Sequence, residues 1–191
     1  MRQQLNPEER TALLSLARTA ISDAVLQENS LAELLEATEL SPAMRAARGV
    51  FVTLRKTAKD RPGGRELRGC LGNLTSSEPL YRAVIKTAPR SAVEDPRFEP
   101  LSHDELPNVR IEISALTEPS RLETVEQIVV GRDGLSLESG SRRSVFLPQV
   151  ATEQRWSRER LLEELALKAG LGRDGWRKAT LSAFQTEHFE E

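Results

Sequence analysis

Cysteine and histidine are almost absent from this sequence of 191 residues, which contains a single cysteine, Cys70, and two histidines. A single cysteine excludes an intrachain disulfide and any metal site built from thiols alone. A free thiol is typical of a reducing compartment, and the start of the chain has no apolar run of signal-peptide length. We therefore expect a cytoplasmic protein.

The two histidines, His103 and His188, lie far apart, and neither has a second potential ligand at a spacing typical of metal sites. This pattern disfavours a histidine-based metal site and a histidine-dependent catalytic triad. No Walker, Rossmann or EF-hand pattern is present either. The sequence therefore indicates no metal and no cofactor, and we expect both histidines at the surface.

Long apolar runs and an excess of charge of one sign are also missing. No segment approaches the roughly 18 uninterrupted apolar residues of a membrane-spanning helix, so we expect no membrane contact. The net charge of −2 gives no general attraction to nucleic acid, which disfavours nucleic acid as a partner. Arginines do cluster locally, so a site for a small anionic ligand stays open.

Strand-like and helix-like patterns alternate irregularly along the chain, and the turn signals between strands favour hairpins. Strands are predicted at residues 49–56, 66–71, 109–115, 128–130, 135–137, 145–147 and 180–189. Helices are predicted from Asn6 to about residue 28, after residues 75–79, and from Ser157 to Gly170. The patterns therefore predict an α+β fold, with an antiparallel or mixed sheet flanked by helices.

Several local features sharpen this prediction. Residues 61–64 and residues 131–134 have the composition of hairpin turns, and residues 102–105 have the spacing of a capping box. Pro89 should kink its helix or end it early. The length fits one domain, so we interpret residues 1–191 as a single domain in which a small lobe of unknown boundary is possible.

The segment at residues 67–73 concentrates the groups that could carry chemistry. Gly69 and Gly72 bracket Cys70, Arg68 precedes the cysteine by two positions, and a predicted helix N-terminus follows. A nearby guanidinium and a helix N-terminus both favour the thiolate, which is the nucleophilic form. The alternative is a buried cysteine that serves as a small apolar residue. Both interpretations stay open.

Three acidic and basic residues elsewhere complete the candidate site. Asp95 and Arg97 flank a proline, which is typical of a rigid loop held by side-chain to backbone hydrogen bonds. The Arg97 guanidinium could alternatively bind a ligand carboxylate or phosphate. Glu112 lies on the polar side of a predicted strand, and it would face Cys70 if that side of the sheet forms a groove.

The segment Leu-Arg-Gly-Cys-Leu-Gly at residues 67–72 closely resembles the hallmark of the AMMECR domain family. Other segments that resemble the family occur in the family's order, at residues 49–54, 95–98, 131–135, 147–150, 156, 168–171 and 176. The resemblance implies an α+β fold with an antiparallel sheet, flanking helices and a smaller second lobe. It also implies an association, in prokaryotes, with a Memo-type protein and a radical-SAM protein. The family has no established activity.

Two segments depart from the family pattern. Family members often carry a second cysteine just before the block at residues 168–171, where this chain has Leu165, Ala166 and Leu167. A metal or disulfide model that needs this second thiol therefore does not apply. The helix before Asp95 is also altered, by Pro89 and the two residues that follow it.

Three hypotheses of function follow, and the first two differ in what Cys70 does. In the first, the chain is a partner or scaffold protein of the AmmeMemoRadiSam system and presents residues 68–73 as a loop to the Memo-type or radical-SAM protein. In the second, Cys70 is the nucleophile of an enzyme or a transiently modified carrier. Arg68 would then activate the thiol, amides near Gly72 would bind an oxyanion, and Glu112 would act as base.

The third hypothesis is a binding protein for a small anionic ligand. Arg68 and Arg97 would supply the positive charge, and the glycine loop formed by Gly69, Gly72 and Asn73 would supply backbone amides.

Overall fold

The computed structural model describes residues 4–57 and 64–191. The helices are α1 Pro7–Leu26, α2 Leu31–Ala37, α3 Pro42–Arg45, α4 Leu80–Val93, α5 Pro148–Glu153 and α6 Arg158–Lys168. The strands are β1 Val50–Thr57, β2 Arg65–Asn73, β3 Val109–Leu116, β4 Ser120–Arg121, β5 Gly134–Ser139, β6 Arg142–Phe146, β7 Thr180–Phe184 and β8 Thr186–Glu190. Short 3-10 helices occur at Leu106–Asn108, Val125–Gln127 and Arg173–Lys178. Residues 61–63 of the first predicted turn lie outside the described residues.

The chain divides into two compact units, and the predicted α+β fold with a smaller second lobe is confirmed. Unit 1 contains the residues up to Leu116 together with Glu187–Glu191. Unit 2, the smaller one, contains Thr117–Thr186. Each unit has its own four-stranded sheet and its own hydrophobic core.

The sheet of unit 1 has the strand order β2-β1-β3-β8, so β2 lies at one edge. β1 pairs antiparallel with β2 on one side and with β3 on the other. Val50, Val52 and Leu54 of β1 are buried in the same core cluster as residues of α1 and α4, and the residues between them are half-buried. Alternate residues of a strand point to opposite faces, so Phe51 and Thr53 lie on the other side, which we call the outer face.

Helix α1 begins where the sequence predicts. Asn6 accepts a hydrogen bond from the N–H of Glu9, and the Glu9 side chain accepts one from the N–H of Asn6, which completes a capping box. Pro7 occupies the first turn, where a missing N–H costs nothing. The helix ends one residue before Gln27, which adopts a left-handed conformation with φ of 59°.

Helix α4 runs through Pro89 to Val93, so the early end predicted at Pro89 is wrong. The proline removes one N–H donor, but buried residues on both sides of it hold the helix against the sheet. These residues include Thr87, Ala88, Ser91 and Ala92. Tertiary packing therefore outweighs the local preference of proline.

The sheet of unit 2 has the strand order β4-β7-β5-β6. Two of the strands predicted in and after this part of the chain, at residues 128–130 and 180–189, do not form as predicted. Residues 128–130 do not form a strand, because the Asp133 carboxylate accepts the N–H of Val129 at 2.9 Å and closes a turn instead. β5 pairs with β6 and β7. The predicted closing strand at residues 180–189 is divided at Gln185, whose N–H donates to the Thr117 hydroxyl oxygen at 2.9 Å.

Two predicted features of α6 in unit 2 are confirmed. Ser157 is the N-cap, since its hydroxyl oxygen accepts the N–H of Arg160 at 3.2 Å. Gly170 follows the helix with φ of +73°, a conformation that glycine adopts without steric cost.

Strand β2 contains a bulge at Arg68. Leu54 of β1 pairs with Gly69, and the next residue, Arg55, pairs with Leu67, so Arg68 is left without a cross-strand partner. An extra residue of this kind bends the strand and re-aims a side chain.

Ser91 of α4 ties the helix to the β1–β2 ladder. Its hydroxyl donates to the C=O of Val52 at 2.9 Å and accepts the N–H of Leu71 at 3.1 Å. The same hydroxyl also lies 3.1 Å from the C=O of Thr87, and the Ser91 side chain is 1% exposed, so this bridge is buried.

We expect Ser91→Ala to lower the free energy of unfolding by about 1–3 kcal/mol, because a buried donor and a buried acceptor lose their partner. Urea denaturation gives the measurement. Ser15→Ala is the matched control, since Ser15 is an exposed serine within α1 and the same gain of helix propensity applies. Equal shifts for the two variants would contradict the bridging role of Ser91.

Candidate functional site

The residues around Cys70 form a strand, so the strand predicted at residues 66–71 is confirmed, and the loop at residues 68–73 that the hypotheses of function assumed is wrong. Gly69, Cys70, Gly72 and Asn73 all belong to β2 and pair with residues of β1. The two glycines are needed for close packing. A Cβ on Gly69 would lie 2.1 Å from the carbonyl oxygen of Ser91, and one on Gly72 would lie 2.4 Å from that of Val50.

Arg68, the bulged residue, is buried and bound within the protein. It is 5% exposed, and its Nε and Nη2 each lie 2.8 Å from an oxygen of the Glu105 carboxylate. Its Nη2 also donates to the C=O of Pro100 at 3.4 Å, and the guanidinium lies 5.9 Å from the centre of the Phe98 ring. The bulge therefore directs the Arg68 side chain into the protein, where it forms an ion pair with Glu105.

The charges of this ion pair stabilise each other. The hydrogen bond from Arg68 lowers the pKa of Glu105 to about 2, and the hydrogen bond to Glu105 raises the pKa of Arg68. Glu105 also accepts the N–H of Ser102 at 3.2 Å, but the N–H of Glu105 donates to the backbone C=O of Ser102 and not to its hydroxyl, so only half of the predicted capping box forms. Glu105 thus neutralises Arg68 and occupies its Nε and Nη2, while its Nη1 is buried without a hydrogen-bond partner among the described residues.

Asp95 and Arg97 hold both backbone groups of Cys70 at the free edge of β2. The N–H of Cys70 donates to Oδ2 of Asp95 at 2.8 Å, and Nη2 of Arg97 donates to the C=O of Cys70 at 3.1 Å. Arg97 also binds the Asp95 carboxylate, with Nε at 2.9 Å from Oδ1 and Nη2 at 2.6 Å from Oδ2. The two side chains thus take the place of a neighbouring strand at this residue.

The same contacts set the charge states of Asp95 and Arg97. The hydrogen bond from Arg97 is the main cause that lowers the pKa of Asp95 far below its usual range, and the N–H of Cys70 adds to it. The pKa of Arg97 is raised, mainly by its hydrogen bond to Asp95. The Asp95 side chain is 2% exposed, whereas that of Arg97 is 54% exposed.

The thiol of Cys70 lies on the outer face and is half-buried. Cys70 pairs directly with Thr53 across the ladder, and the Thr53 hydroxyl donates to Sγ at 3.3 Å. Residues directly opposite each other share a face of the sheet. The guanidinium beside Cys70 is that of Arg97, because Arg68 is engaged by Glu105.

Glu112 lies on the same face and in the same cross-strand row as Cys70. Thr53 pairs with Cys70 on one side and with Glu112 on the other, so it stands between them. The Glu112 side chain is 9% exposed, and its Oε1 lies 2.8 Å from Nε of Arg55. Glu112 is therefore an ion-paired carboxylate that shares a row with Cys70.

Sequence reasoning missed three residues of this site: Thr53, Ser91 and Glu105. The capping box at residues 102–105 marked Glu105 as a local partner but gave no sign that it binds Arg68. Thr53 follows from the cross-strand register alone, since it pairs with Cys70. Ser91 carries no signal in the sequence, because its role depends on how α4 docks on the sheet.

The remaining candidate residues lie apart from these contacts. Asn73 is exposed at the end of β2. Both histidines are exposed, as predicted; His103 contacts Asp104 at 3.3 Å, and Nδ1 of His188 lies 3.2 Å from the hydroxyl of Ser114. Within residues 4–57 and 64–191, no three histidine, cysteine, aspartate or glutamate side chains come together as metal ligands. None of the helices in the described part of the chain has the length and apolar character that a membrane crossing requires.

The chain is similar to proteins of one family along almost its whole length. The AMMECR1 family profile matches residues 14–189. A protein from Thermofilum pendens is 40% identical over 200 residues, which cover 98% of this chain and 92% of the relative. Protein MK0488 from Methanopyrus kandleri is 38% identical over 202 residues, covering 100% of this chain and 92% of the relative.

A solved structure has the same fold. The crystal structure of the uncharacterised protein PH0010 from Pyrococcus horikoshii matches with a TM-score of 0.80 at 38% sequence identity. The match covers 94% of this chain and 89% of that protein.

We expect Asp95→Asn to lower the free energy of unfolding at pH 7 by about 1.5–3 kcal/mol, because charge-assisted hydrogen bonds to Cys70 and Arg97 are lost. The folded-state pKa of Asp95 is lowered, so its stabilisation is present above the unfolded value near 3.8 and is lost as the pH falls. The difference in the free energy of unfolding between the wild type and Asp95→Asn should therefore be smaller at pH 3 than at pH 7.

Urea denaturation at the two pH values measures this difference. Asp104→Asn is the control, since the Asp104 side chain is fully exposed and its only side-chain contact among the described residues is with exposed His103. A difference that stays constant with pH for Asp95→Asn would show that the carboxylate charge does not contribute.

Proposed function

Because the chain belongs to the AMMECR1 family, we propose that it is a cytoplasmic partner component that acts with a Memo-type protein and a radical-SAM protein. The surface through which it acts is the part of the outer face around Cys70. This surface, the Cys70 patch, consists of Phe51, Thr53, Leu67, Cys70 and Gly72. The family has no established activity, and the argument for the patch comes from the geometry of unit 1.

The observation that carries this proposal is the clamp on the Cys70 backbone. Residues 95–98 and residues 67–72 are separate in the sequence, and both resemble family segments. In the structure Asp95 and Arg97 hold the N–H and the C=O of Cys70 at 2.8 and 3.1 Å. A surface whose backbone is fixed in advance loses little conformational entropy on binding, which favours recognition by a partner.

The composition of the Cys70 patch also suits a protein interface. Phe51 and Leu67 are half-buried, and neither belongs to the two core clusters of the described chain. The Phe51 ring lies against Gly72, where a Cβ would come within 2.5 Å of it. The thiol of Cys70 and the hydroxyl of Thr53 add polar groups between these apolar side chains. Apolar residues mixed with a few polar groups are typical of interface centres.

We expect a bound partner to slow the alkylation of Cys70 by iodoacetamide, because the partner would cover the thiol. The rate is measured by mass spectrometry with and without the Memo-type protein and the radical-SAM protein of the same organism. The single cysteine makes every adduct a reading of this position.

The matched control is the double variant Cys70→Ser, Ser141→Cys. Ser141 is exposed in the turn after β5 of unit 2. A cysteine at position 141 should therefore be alkylated at the same rate with and without a partner. Unchanged rates at Cys70 with both partners at saturating concentration would refute the proposed surface. Equal slowing at both positions would indicate non-specific association.

A second candidate, a thiol-dependent enzyme or carrier, is favoured by the hydrogen bond from Thr53 to Sγ of Cys70. A hydroxyl that donates to sulfur stabilises the thiolate, and the raised pKa of Arg97 keeps a positive charge beside the Cys70 backbone. The general base is the weak point of this candidate. Glu112 would have to release Arg55 before it could accept a proton.

We expect Thr53→Val to slow the alkylation of native Cys70 at pH 7 by about fivefold, which corresponds to a lost hydrogen bond of about 1 kcal/mol. The rates of the wild type and the variant are compared, with Cys70→Ser as the blank. In urea the two proteins should react equally fast, since the hydrogen bond is then absent from both. Equal rates in the folded state would remove the support for an activated thiol.

The third hypothesis, an anion site at Arg68 and Arg97, fits the geometry least well. Glu105 occupies the guanidinium of Arg68 and Asp95 occupies that of Arg97, both through paired hydrogen bonds. The carboxylates take the Nε and Nη2 groups of both arginines, and Nη1 of Arg68, which has no hydrogen-bond partner among the described residues, is buried.

A further inference from the structure

Unit 2 contains a cavity of about 240 Å³ that plays no part in the site around Cys70. One wall is the segment that runs from Arg121 of β4 to Val125, and the other runs from Trp176 to Leu181 at the start of β7. The two walls are joined by a backbone hydrogen bond from the N–H of Leu122 to the C=O of Leu181, at 2.9 Å.

Two of the residues that line the cavity belong to the hydrophobic core of unit 2. Trp176 is 9% exposed and Leu181 is 8% exposed, and both belong to the buried core cluster of this unit. Close-packed residues of this kind seldom change position, so the shape of the cavity is set before any ligand arrives.

The charged groups that line the cavity are predominantly positive. Arg121 and Arg177 contribute two guanidinium groups, and Glu123 contributes one carboxylate. Thr180 adds a hydroxyl group. The lining residues therefore carry an excess of one positive charge, partly offset by Asp174 beside Arg177, together with several hydrogen-bond donors, which is the chemistry that binds oxyanions.

The two arginines differ in how they are held. The Arg177 guanidinium lies 4.3 Å from the centre of the Trp176 ring, and its Nε donates to Oδ1 of Asp174 at 3.0 Å. These contacts orient Arg177. Arg121, by contrast, makes no hydrogen bond or ion pair with any residue in the described part of the chain, so its whole guanidinium fork is available.

We propose that this cavity binds a small ligand through a compact oxyanion group, either a phosphate or a carboxylate. The volume is below the roughly 300 Å³ at which sites for drug-sized molecules begin, and it accommodates a phosphate or carboxylate group with a few further atoms. Arg121 provides the planar pair of donors that matches two oxygens of such a group, and Arg177 and Thr180 contact the remaining oxygens.

The test uses Trp176 as a reporter, because it lines the cavity and the chain has just two tryptophans. In the full-length Trp156→Phe variant, the fluorescence of Trp176 is followed while sodium phosphate or sodium acetate is added. Sodium chloride at equal ionic strength gives the baseline. We expect a saturable change with at least one of the two anions, and the anion that binds more tightly shows whether the cavity prefers a phosphate or a carboxylate.

The comparison of two arginine variants decides whether the cavity is the site. Arg121→Gln in the same background should weaken the affinity about tenfold or more, since charge-assisted hydrogen bonds are lost. Arg143→Gln removes the same charge from unit 2 but leaves the cavity intact, because Arg143 pairs with Glu138 on β5. This control should keep the affinity within about twofold, because loss of a distant surface charge alters binding only weakly.

Two results would overturn the proposal. One is the absence of any saturable change beyond the chloride baseline with both anions. The other is an equal loss of affinity in Arg121→Gln and Arg143→Gln, which would indicate diffuse attraction to the positive charge of the unit. Melting curves establish that each variant is folded, and Arg121→Lys, which keeps the charge and loses the planar fork, should bind with intermediate affinity.

Discussion

The carboxylate of Asp95 holds the free edge of β2 at Cys70, where a further strand would otherwise pair. It accepts the N–H of Cys70, and it orients Arg97, which in turn binds the C=O of Cys70. Almost no solvent reaches this carboxylate, so its charge must be matched by these donors. The position of the thiol and the closure of the strand edge both depend on this arrangement.

Helix α4 also packs closely against β2, through contacts of Ser91 with Leu71 and Gly69. Ser91 bridges the β1–β2 ladder, and Gly69 allows the Ser91 carbonyl to approach where any side chain would collide with it. Helix and clamp together leave β2 little freedom to move. A strand with this constraint suits a surface that must offer a thiol in one orientation, for a partner or for a reaction.

Arg68 and Arg97 flank the same cysteine but serve different purposes. Arg68 is buried with its guanidinium against the partly exposed Glu105, and removal of Glu105 would leave the charge of Arg68 uncompensated in the interior. Arg97 is half exposed and lies over the edge of the strand, with its guanidinium 5.5 Å from the centre of the Phe98 ring. Arg68 is therefore part of the fold, whereas Arg97 lies beside the Cys70 patch and holds the backbone of Cys70 in place.

The sequence by itself determined the α+β class and the start of α1 at its capping box, and it singled out the segment around Cys70 as a candidate site. Each of these follows from local chemistry, namely hydrogen bonds within one turn, side-chain periodicity and unusual residue types close together. The tertiary structure decided that the strand predicted at residues 66–71 lies at the edge of its sheet, that Arg68 is a bulge and that Glu105, Ser91 and Thr53 complete the candidate site. These facts depend on strand register and helix docking, which bring together groups that are distant in the chain and leave no pattern in the neighbouring residues.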